Sequence, residues 1–276
     1  MTRPTTRWAR IGAVTCVITL FVVAIADAHD TFLKPVRYFV SPGEQLLVRV
    51  LNGTFTTSEN SIARARLRDL SALGPQGRTK IDTSVWTVAG DTSTFTFSGA
   101  EPGTYVLGAS TKPNFIALTG KQFTDYLTED GIPDVLEARR KGGEMDKPAR
   151  ERYSKHVKAL VQVGDGRSNS ALTALGYAAE LLPLVDPYAL KAGDTLDART
   201  MVDGKATAGL LVLFGGHSAS GVAIAERSAR SNASGVVRVP LRSAGVWYVK
   251  FISMVRVTGD TVDYESKWAT LTFEVR

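Results

Sequence analysis

The sequence predicts a mainly β protein with two antiparallel β-sandwich domains, immunoglobulin-like or transthyretin-like, and a short helical insert between them. In the first and last thirds of the chain, short segments rich in β-branched and aromatic residues alternate with Gly, Pro and Asp. The middle instead has apolar residues at helical spacing. Several short strands separated in this way are typical of sandwiches. We therefore expect sandwiches over residues 29–120 and 176–276, with the helical insert and a linker at 121–175.

The N-terminal segment has the three parts of a secretory signal. MTRPTTRWAR carries three arginines and no acid, IGAVTCVITLFVVAIA has no charge, and Ala26 and Ala28 flank Asp27 as a small-x-small cleavage site. The apolar run is shorter than the roughly 20 residues that a membrane-spanning helix needs. We expect residues 1–28 to be a cleaved signal peptide and the protein to be periplasmic or secreted, with no stable membrane span after cleavage. An uncleaved membrane anchor is the alternative.

The strands of the first third are indicated by alternation and by turn residues. YFVSPGEQLLVRVLNG predicts a strand, a Pro-Gly turn and a second strand, and IARARLRDL places arginines and apolar residues on opposite faces. STFTFSG and GTYVLGAS repeat the β-branched and aromatic pattern. These segments form the predicted N-terminal sandwich.

The middle of the chain predicts two or three short helices. Phe123, Tyr126 and Leu127 have helical spacing, and the pattern returns in ERYSKHVKAL. GIP and KGGEMDKP are the predicted breaks between helices, and VGDGRSNSALTALG is predicted to be a loop. Beyond the loop, GVVRVPL, WYVKFISM and WATLTFEV predict the strands of the second sandwich.

Composition excludes several kinds of chemistry. Cys16 is the only cysteine and lies in the predicted signal, so the mature chain has no thiol for catalysis, redox chemistry or a cysteine-based zinc site. Removal of residues 1–28 lowers the net charge from +6 to about +4, and the basic residues are scattered. We expect no binding to nucleic acid, because that needs a concentrated basic face.

Six segments, in this order, resemble one family of bacterial exported proteins: HDTFLKP, FTDYLTEDGI, ERYSKHVKALVQVG, AELLPLVDPYALKAGDTL, VDGKATAGLLVLF and WATLTFEV. The family is formally of unknown function and is often labelled the periplasmic component of a cobalt or nickel transport system. Its members usually begin with a His-acid-aromatic stretch directly after the signal, as His29, Asp30 and Phe32 do here. The resemblance implies a metal transporter in the inner membrane as a partner.

A histidine at the mature N-terminus can chelate a metal ion. Its α-amine and ring Nδ1 close a six-membered ring on the metal, and both groups give up protons to a metal near neutral pH. Nitrogen donors suit nickel, cobalt and copper, and Asp30 could add an oxygen. We expect one such ion to be bound by His29 and Asp30. The alternative is that His29 has no role in metal binding and is the N-terminal residue only because the signal is cleaved after Ala28.

His156 and His217 are the two other histidines in the sequence, and both are candidate partners of His29. His156 lies in the predicted helix ERYSKHVKAL, and His217 lies in LFGGHSASG, a Gly- and Ser-rich loop of the kind that often carries function. An ordinary helix or loop histidine is the alternative in each case, since the sequence has no HxH, HxxxH or HExxH pair.

Three functions follow from these observations. The first is a non-catalytic periplasmic protein that binds a transition metal through His29 and supports metal uptake. The second is a metal-free β-sandwich module that binds an envelope protein or a glycan. The third is an oxidative enzyme with a copper-binding amino-terminal histidine brace, which needs a second histidine close to His29. We expect a binding protein rather than an enzyme.

Overall fold

Residues 29–276 are described by a computed structural model, and the predicted signal peptide lies outside the described residues. Over this range the chain forms eighteen β-strands and two α-helices. None of its helices has the length and apolar character needed to cross a membrane. The prediction of a mainly β protein of the sandwich type is confirmed.

The strands are short and follow one another closely along the chain. Those that precede the helices are β1 (Asp30–Pro35), β2 (Phe39–Val40), β3 (Leu46–Gly53), β4 (Leu67–Gly74), β5 (Gly77–Lys80), β6 (Thr87–Ala89), β7 (Thr92–Phe97), β8 (Gly103–Thr111) and β9 (Asn114–Leu118). The helices are α1 (Gly120–Glu129) and α2 (Pro133–Lys141). The strands that follow are β10 (Ala149–Val163), β11 (Ala179–Pro183), β12 (Thr195–Val202), β13 (Lys205–Ala206), β14 (Leu211–Ser218), β15 (Ala223–Arg230), β16 (Val236–Pro240), β17 (Gly245–Arg256) and β18 (Tyr264–Val275).

One large sheet runs through both halves of the described chain. Its strand order is β15-β14-β17-β18-β10-β8-β4-β5, and β2 and β9 also pair with β10. The strands of the two halves meet where β10 and β18 pair in parallel, with Glu151 opposite Tyr264. An N-terminal sheet (β1-β3-β7-β6) and a C-terminal sheet (β11-β12-β13, with β16 on β12) complete the two sandwiches. The domain boundaries at 120 and 175 stay a prediction.

Two apolar cores lie on opposite faces of the large sheet. The first joins the N-terminal sheet to β4, β8 and β10 and includes Leu33, Phe95 and Val161. The second joins the C-terminal sheet to β14, β17 and β18 and includes Trp247 and Leu271. Because successive side chains of a strand point to opposite faces, strands at the junction contribute to both layers.

The prediction of a helix around His156 is wrong. Residues Ala149–Val163 form β10, a fifteen-residue strand at the centre of the large sheet. Val157, Val161 and Val163 pack in the first core, whereas Leu160 packs in the second. A strand buried on both faces has apolar residues at odd and even positions, so it loses the alternation that identifies strands from sequence.

The two helices confirm the helical insert over its first part. Thr119 caps α1 and forms a capping box with Gln122, and the predicted GIP break separates α1 from α2. Asp130 is the C-terminal cap, and Gly131 follows with a φ of 70°. This left-handed conformation suits glycine and is common after a helix. The turn fixes the position of Asp130 against the neighbouring sheet.

The first strand is held to the large sheet by side chains that donate to its backbone. On one edge β1 pairs with β3. On its other edge, Thr270 Oγ1 donates to the Thr31 carbonyl at 2.8 Å and Thr272 Oγ1 donates to the Leu33 carbonyl at 2.5 Å. Lys155 Nζ donates to the carbonyl of His29. Alternate carbonyls from residue 29 onward are therefore satisfied by β10 and β18, which places His29 at a fixed position.

Replacement of Thr270 by valine should destabilise the protein. Thr270→Val keeps the side-chain shape but leaves the buried Thr31 carbonyl without its donor, so the free energy of unfolding should fall by about 1–3 kcal/mol. Urea unfolding of the chain from His29 onward measures the loss. Thr96→Val, at an exposed position of β7, is the matched control and should change stability by no more than about 0.5 kcal/mol. Equal stability of the two variants would contradict this account of β1.

Candidate functional site

His29 and Asp30 line one cleft of about 270 Å³ at the start of β1. The cleft carries more acidic than basic side chains. Its lining residues are His29, Asp30, Phe32, Gly53, Thr54, Phe55, Glu59, Asp130, Glu226, Tyr248 and Lys250. They come from β1 and the residue before it, the end of β3 and the loop that follows, the end of α1, and strands β15 and β17. The cleft therefore gathers parts of the chain that are distant in sequence.

Alternation along two strands explains how the cleft forms. Asp30 and Phe32 share one face of β1, while Tyr248 and Lys250 share the face of β17 that is turned away from the second core. Lys250 Nζ makes an ion pair with Asp30 Oδ2, and the Phe32 and Tyr248 rings lie 5.2 Å apart. Each strand thus contributes one charged and one aromatic residue to the same wall.

Glu59 lies directly beside His29. Its Oε2 is 3.2 Å from His29 Nε2, and 18% of the histidine side chain is exposed. The loop after β3 folds back on itself because the amide of Glu59 donates to the Asn52 carbonyl at 2.9 Å. Gly53 permits this fold, since a Cβ there would lie 2.5 Å from the carbonyl oxygen of Thr57. The loop therefore places a carboxylate against the imidazole.

Lys250 is surrounded by carboxylates. Besides Asp30, its Nζ lies 3.3 Å from Glu226 Oε2, which also accepts a hydrogen bond of 2.8 Å from the Tyr248 hydroxyl. Burial alone would lower the pKa of Lys250, but Asp30 and Glu226 raise it above its ordinary value. Lys250 therefore stays charged and compensates part of the negative charge of the cleft.

Asp130 and Lys155 are titratable groups with shifted pKa values beside the same cleft. Burial, and then the charge of Asp30, raise the pKa of Asp130 to about 8. Burial lowers the pKa of Lys155 to about 8, opposed by the charges of Asp30 and Asp130. Near neutral pH Asp130 is thus mainly protonated and adds little to the negative charge of the cleft.

The rings of Phe32, Phe55 and Tyr248 line part of the cleft, and His217 packs against this aromatic group. Phe55 lies 5.2 Å from Phe32 and 4.8 Å from Tyr248, measured between ring centroids. The His217 ring stacks on Phe55 with a centroid distance of 5.6 Å. Burial, and then Lys34, lower the pKa of His217, so its ring is neutral at neutral pH. His217 contacts this aromatic group but is not among the described residues that line the cleft.

The structure does not bring His156 to the cleft. Its neighbour Lys155 points toward His29, so the His156 side chain lies on the opposite face of β10. Its Nδ1 lies 2.9 Å from Ser110 Oγ and its Nε2 lies 3.1 Å from Ser154 Oγ. Burial lowers the pKa of His156 to about 4. His156 is therefore a neutral, hydrogen-bonded histidine in a different part of the fold.

The cleft offers few side chains that could act as ligands for a metal ion. Within residues 29–276, no three His, Asp or Glu side chains are grouped as ligands for a metal ion. Among the described residues that line the cleft, His29 provides the imidazole, and the predicted cleavage after Ala28 would add its α-amine. Glu59 contacts one ring nitrogen, and Asp30 is already paired with Lys250. A metal here would rest on the chelate of a single residue.

Several residues of the cleft could not be predicted as site residues from the sequence. Glu59 lies in a polar loop without a motif, and Glu226 lies in a strand of mixed charge. Asp130 was visible only as part of a predicted helix end, and Lys250 as a charge inside an apolar strand. A lysine or a carboxylate within a predicted strand does not by itself indicate a buried ion pair. Only the folded structure shows which charged side chains lie next to each other.

A comparison with protein families gave a match over most of the chain. The model described as “Domain of unknown function (DUF4198)” matches residues 26–254. The chain belongs to this family. The predicted membership of a family of unknown function is confirmed, and the match begins three residues before His29.

Comparisons with curated proteins and solved structures do not indicate a function for this DUF4198 protein. No curated protein matches it. A solved structure titled “Biofilm associated protein - BSP domain” is 12% identical, with 91% of this chain and 52% of that chain covered and a TM-score of 0.19. The chain spans about half the length of that structure, and a likeness this low carries no argument about fold or function.

Glu151 is a buried acid close to Lys155, on the same face of β10. It accepts hydrogen bonds from Ser266 and, at 3.1 Å, from the Tyr126 hydroxyl, while its Oε2 has no hydrogen-bond partner among the described residues. Burial raises its pKa to about 7, opposed by those two hydrogen bonds and by Lys155.

The stability of the protein should depend on the protonation of Glu151. Its pKa is raised on folding, so its contribution to stability is complete below pH 4.5 and is lost as the pH rises through about 7. Glu151→Gln stays neutral throughout. Across this range the wild type should lose up to about 3 kcal/mol of unfolding free energy relative to the variant. Urea unfolding of both proteins over the pH range tests this, and a difference that does not change with pH would contradict it.

Proposed function

We propose that this DUF4198 protein is an exported, non-catalytic binding protein that holds one transition-metal ion at His29 once the signal peptide has been removed. The contact between His29 and Glu59 is the observation that carries the proposal. The predicted cleavage site and the negative charge of the cleft support it. The ion would be nickel, cobalt or copper, and a metal transporter in the inner membrane would receive it.

The position of Glu59 favours the chelating form of His29. A carboxylate 3.2 Å from Nε2 favours a proton on that nitrogen, because the N–H can then donate to it. The proton is thereby absent from Nδ1, the nitrogen that closes a six-membered ring with the α-amine. Carboxylates that orient a metal-binding imidazole in this way also raise its basicity. Glu59 therefore acts as a positioning residue rather than a ligand.

The surroundings of His29 favour binding of a cation. Asp30, Glu59 and Glu226 outnumber Lys250 in the cleft, and a concave surface of one sign concentrates ions of the other sign. Lys155 and the β1–β3 pairing hold the backbone of His29 in place, so little ordering is needed on binding. A site that is already ordered and offers few ligands is suited to a protein that binds an ion and passes it on.

Removal of the His29 chelate should abolish metal binding. The mature wild type should bind about one equivalent of nickel, cobalt or copper. His29→Ala, and a variant with one extra residue before His29, should each lose this binding because the ring or the amine is displaced. Intact mass, native mass spectrometry and metal analysis of the purified mature protein measure the N-terminus and the stoichiometry.

Two results would contradict this proposal. A chain that starts at His29 but takes up none of the three metals would favour the metal-free interaction module instead. Unchanged affinity in both variants would place the metal elsewhere. His156→Ala should bind metal like the wild type, since His156 lies on the other face of β10.

Replacement of Glu59 should weaken metal binding without abolishing it. Glu59→Gln keeps the side-chain size but removes the charge that orients the imidazole, and losses of about 10–100-fold are typical for such partners of a metal-bound histidine. Titration with a competing chromophoric chelator gives the affinity. Glu101→Gln, at an exposed position, is the control and should bind like the wild type. The proposed role of Glu59 is wrong if both variants bind equally.

A further inference from the structure

A second cleft, at the other end of β1, is rich in basic side chains. It encloses about 500 Å³ and is lined by Lys34, Pro35, Val36, Arg37, Tyr38, Phe39, Arg49, Val246, Glu274 and Arg276. Four of these side chains are cationic and one is acidic. Its volume lies in the range of small-molecule sites, about 300–1,000 Å³. The overall charge of the chain is only moderately positive, so this concentration is local.

Two of the basic residues face each other across paired strands. Lys34 of β1 is directly opposite Arg49 of β3 in the antiparallel register, and like charges at such positions are unfavourable. Lys34 Nζ donates to the Phe55 carbonyl at 2.8 Å and lies 4.4 Å from the centroid of the Phe55 ring. Burial, and then Arg49, lower the pKa of Lys34. An anion bound at Arg49 would reduce this repulsion.

The acids near the cleft leave most of the positive charge uncompensated. Arg37 is paired with Glu44 at 2.5 Å, but Arg49 and Arg276 have no ion-pair partner within residues 29–276. Glu274 is half-buried, and burial raises its pKa, opposed by Arg276. Two guanidinium groups are thus available to a ligand.

Arg276 is held in a geometry that suits recognition of oxygen atoms. Its guanidinium carbon lies 3.4 Å from the centroid of the Phe39 ring. Stacking uses the face of the guanidinium plane, while the N–H donors at its edge remain directed outward. Such a fork matches two oxygens of a phosphate group. The apolar residues Pro35, Val36 and Val246 line the same cleft and would contact a less polar part of a ligand.

We propose that this cleft binds the phosphate group of a ligand between Arg49 and Arg276. The group belongs to a small phosphorylated molecule or to a phospholipid headgroup. The site is separate from the cleft at His29, so this inference does not depend on metal binding.

Calorimetric titration with inorganic pyrophosphate tests the proposal. The protein is the metal-free His29→Ala chain, so that metal binding does not contribute. The parent protein should bind one pyrophosphate, more weakly as salt increases. Arg49→Gln and Arg276→Gln should each weaken binding by about tenfold, because each removes charge-assisted hydrogen bonds. Arg238→Gln is the matched control and should bind like the parent, because Arg238 is an exposed arginine of β16 that is paired with Asp197 of β12.

Cosedimentation with vesicles distinguishes the two sources of phosphate. The vesicles contain phosphatidylcholine with or without phosphatidylglycerol. Binding to the anionic vesicles that is lost in the Arg49 and Arg276 variants, and kept in the Arg238 variant, supports a lipid headgroup as the ligand. Pyrophosphate binding with the same pattern and no vesicle binding supports a small phosphorylated molecule. Absence of both kinds of binding, or equal binding by all three variants, would overturn the proposal.

Discussion

Hydrogen bonds from side chains to the backbone of β1 are the constraint on which the candidate site depends. Lys155, Thr270 and Thr272 donate to the carbonyls of residues 29, 31 and 33. A strand at the edge of a sheet ordinarily leaves such carbonyls to water or to another chain. Here they are satisfied by the large sheet beneath, so β1 joins the N-terminal sheet to both halves of the molecule. The same bonds position His29, directly before β1, and the two clefts at the ends of the strand.

The two clefts differ because the residues around the two ends of β1 differ in charge. At the first end, Asp30 meets Glu226 across Lys250, and Glu59 lies against His29. At the other end, Lys34 lies opposite Arg49. A single strand thus carries an acidic cleft and a basic cleft within six residues. This separation of charge supports binding of a cation at one site and of an anion at the other.

Much of the fold was predictable from local patterns, and most of the site was not. Alternation in YFVSPGEQLLVRVLNG indicated strands because buried and exposed residues alternate along β3, whereas WATLTFEV was indicated by its β-branched and aromatic residues. Residues Ala149–Val163 gave the wrong prediction because both faces of β10 are buried. His29 was identifiable from the predicted cleavage site, whereas the contacts of Glu59 and Lys250 are with residues distant in sequence and could not be predicted. The periodicity of a sequence indicates which faces of a strand or helix are buried, but it does not indicate which charged side chains form ion pairs.

The bond from Thr270 to the Thr31 carbonyl spans 239 residues. Contacts of such sequence separation form late, because the loop that they close is costly in conformational entropy. During synthesis the strand that begins next to His29 emerges first, yet the strand on which it docks is the last to appear. The acidic cleft therefore cannot assemble on a partial chain. The charged groups that β15 and β17 bring to His29 would therefore act on a bound ion only in molecules whose C-terminal half has already folded, so the affinity of the complete cleft would differ from that of a partly folded chain.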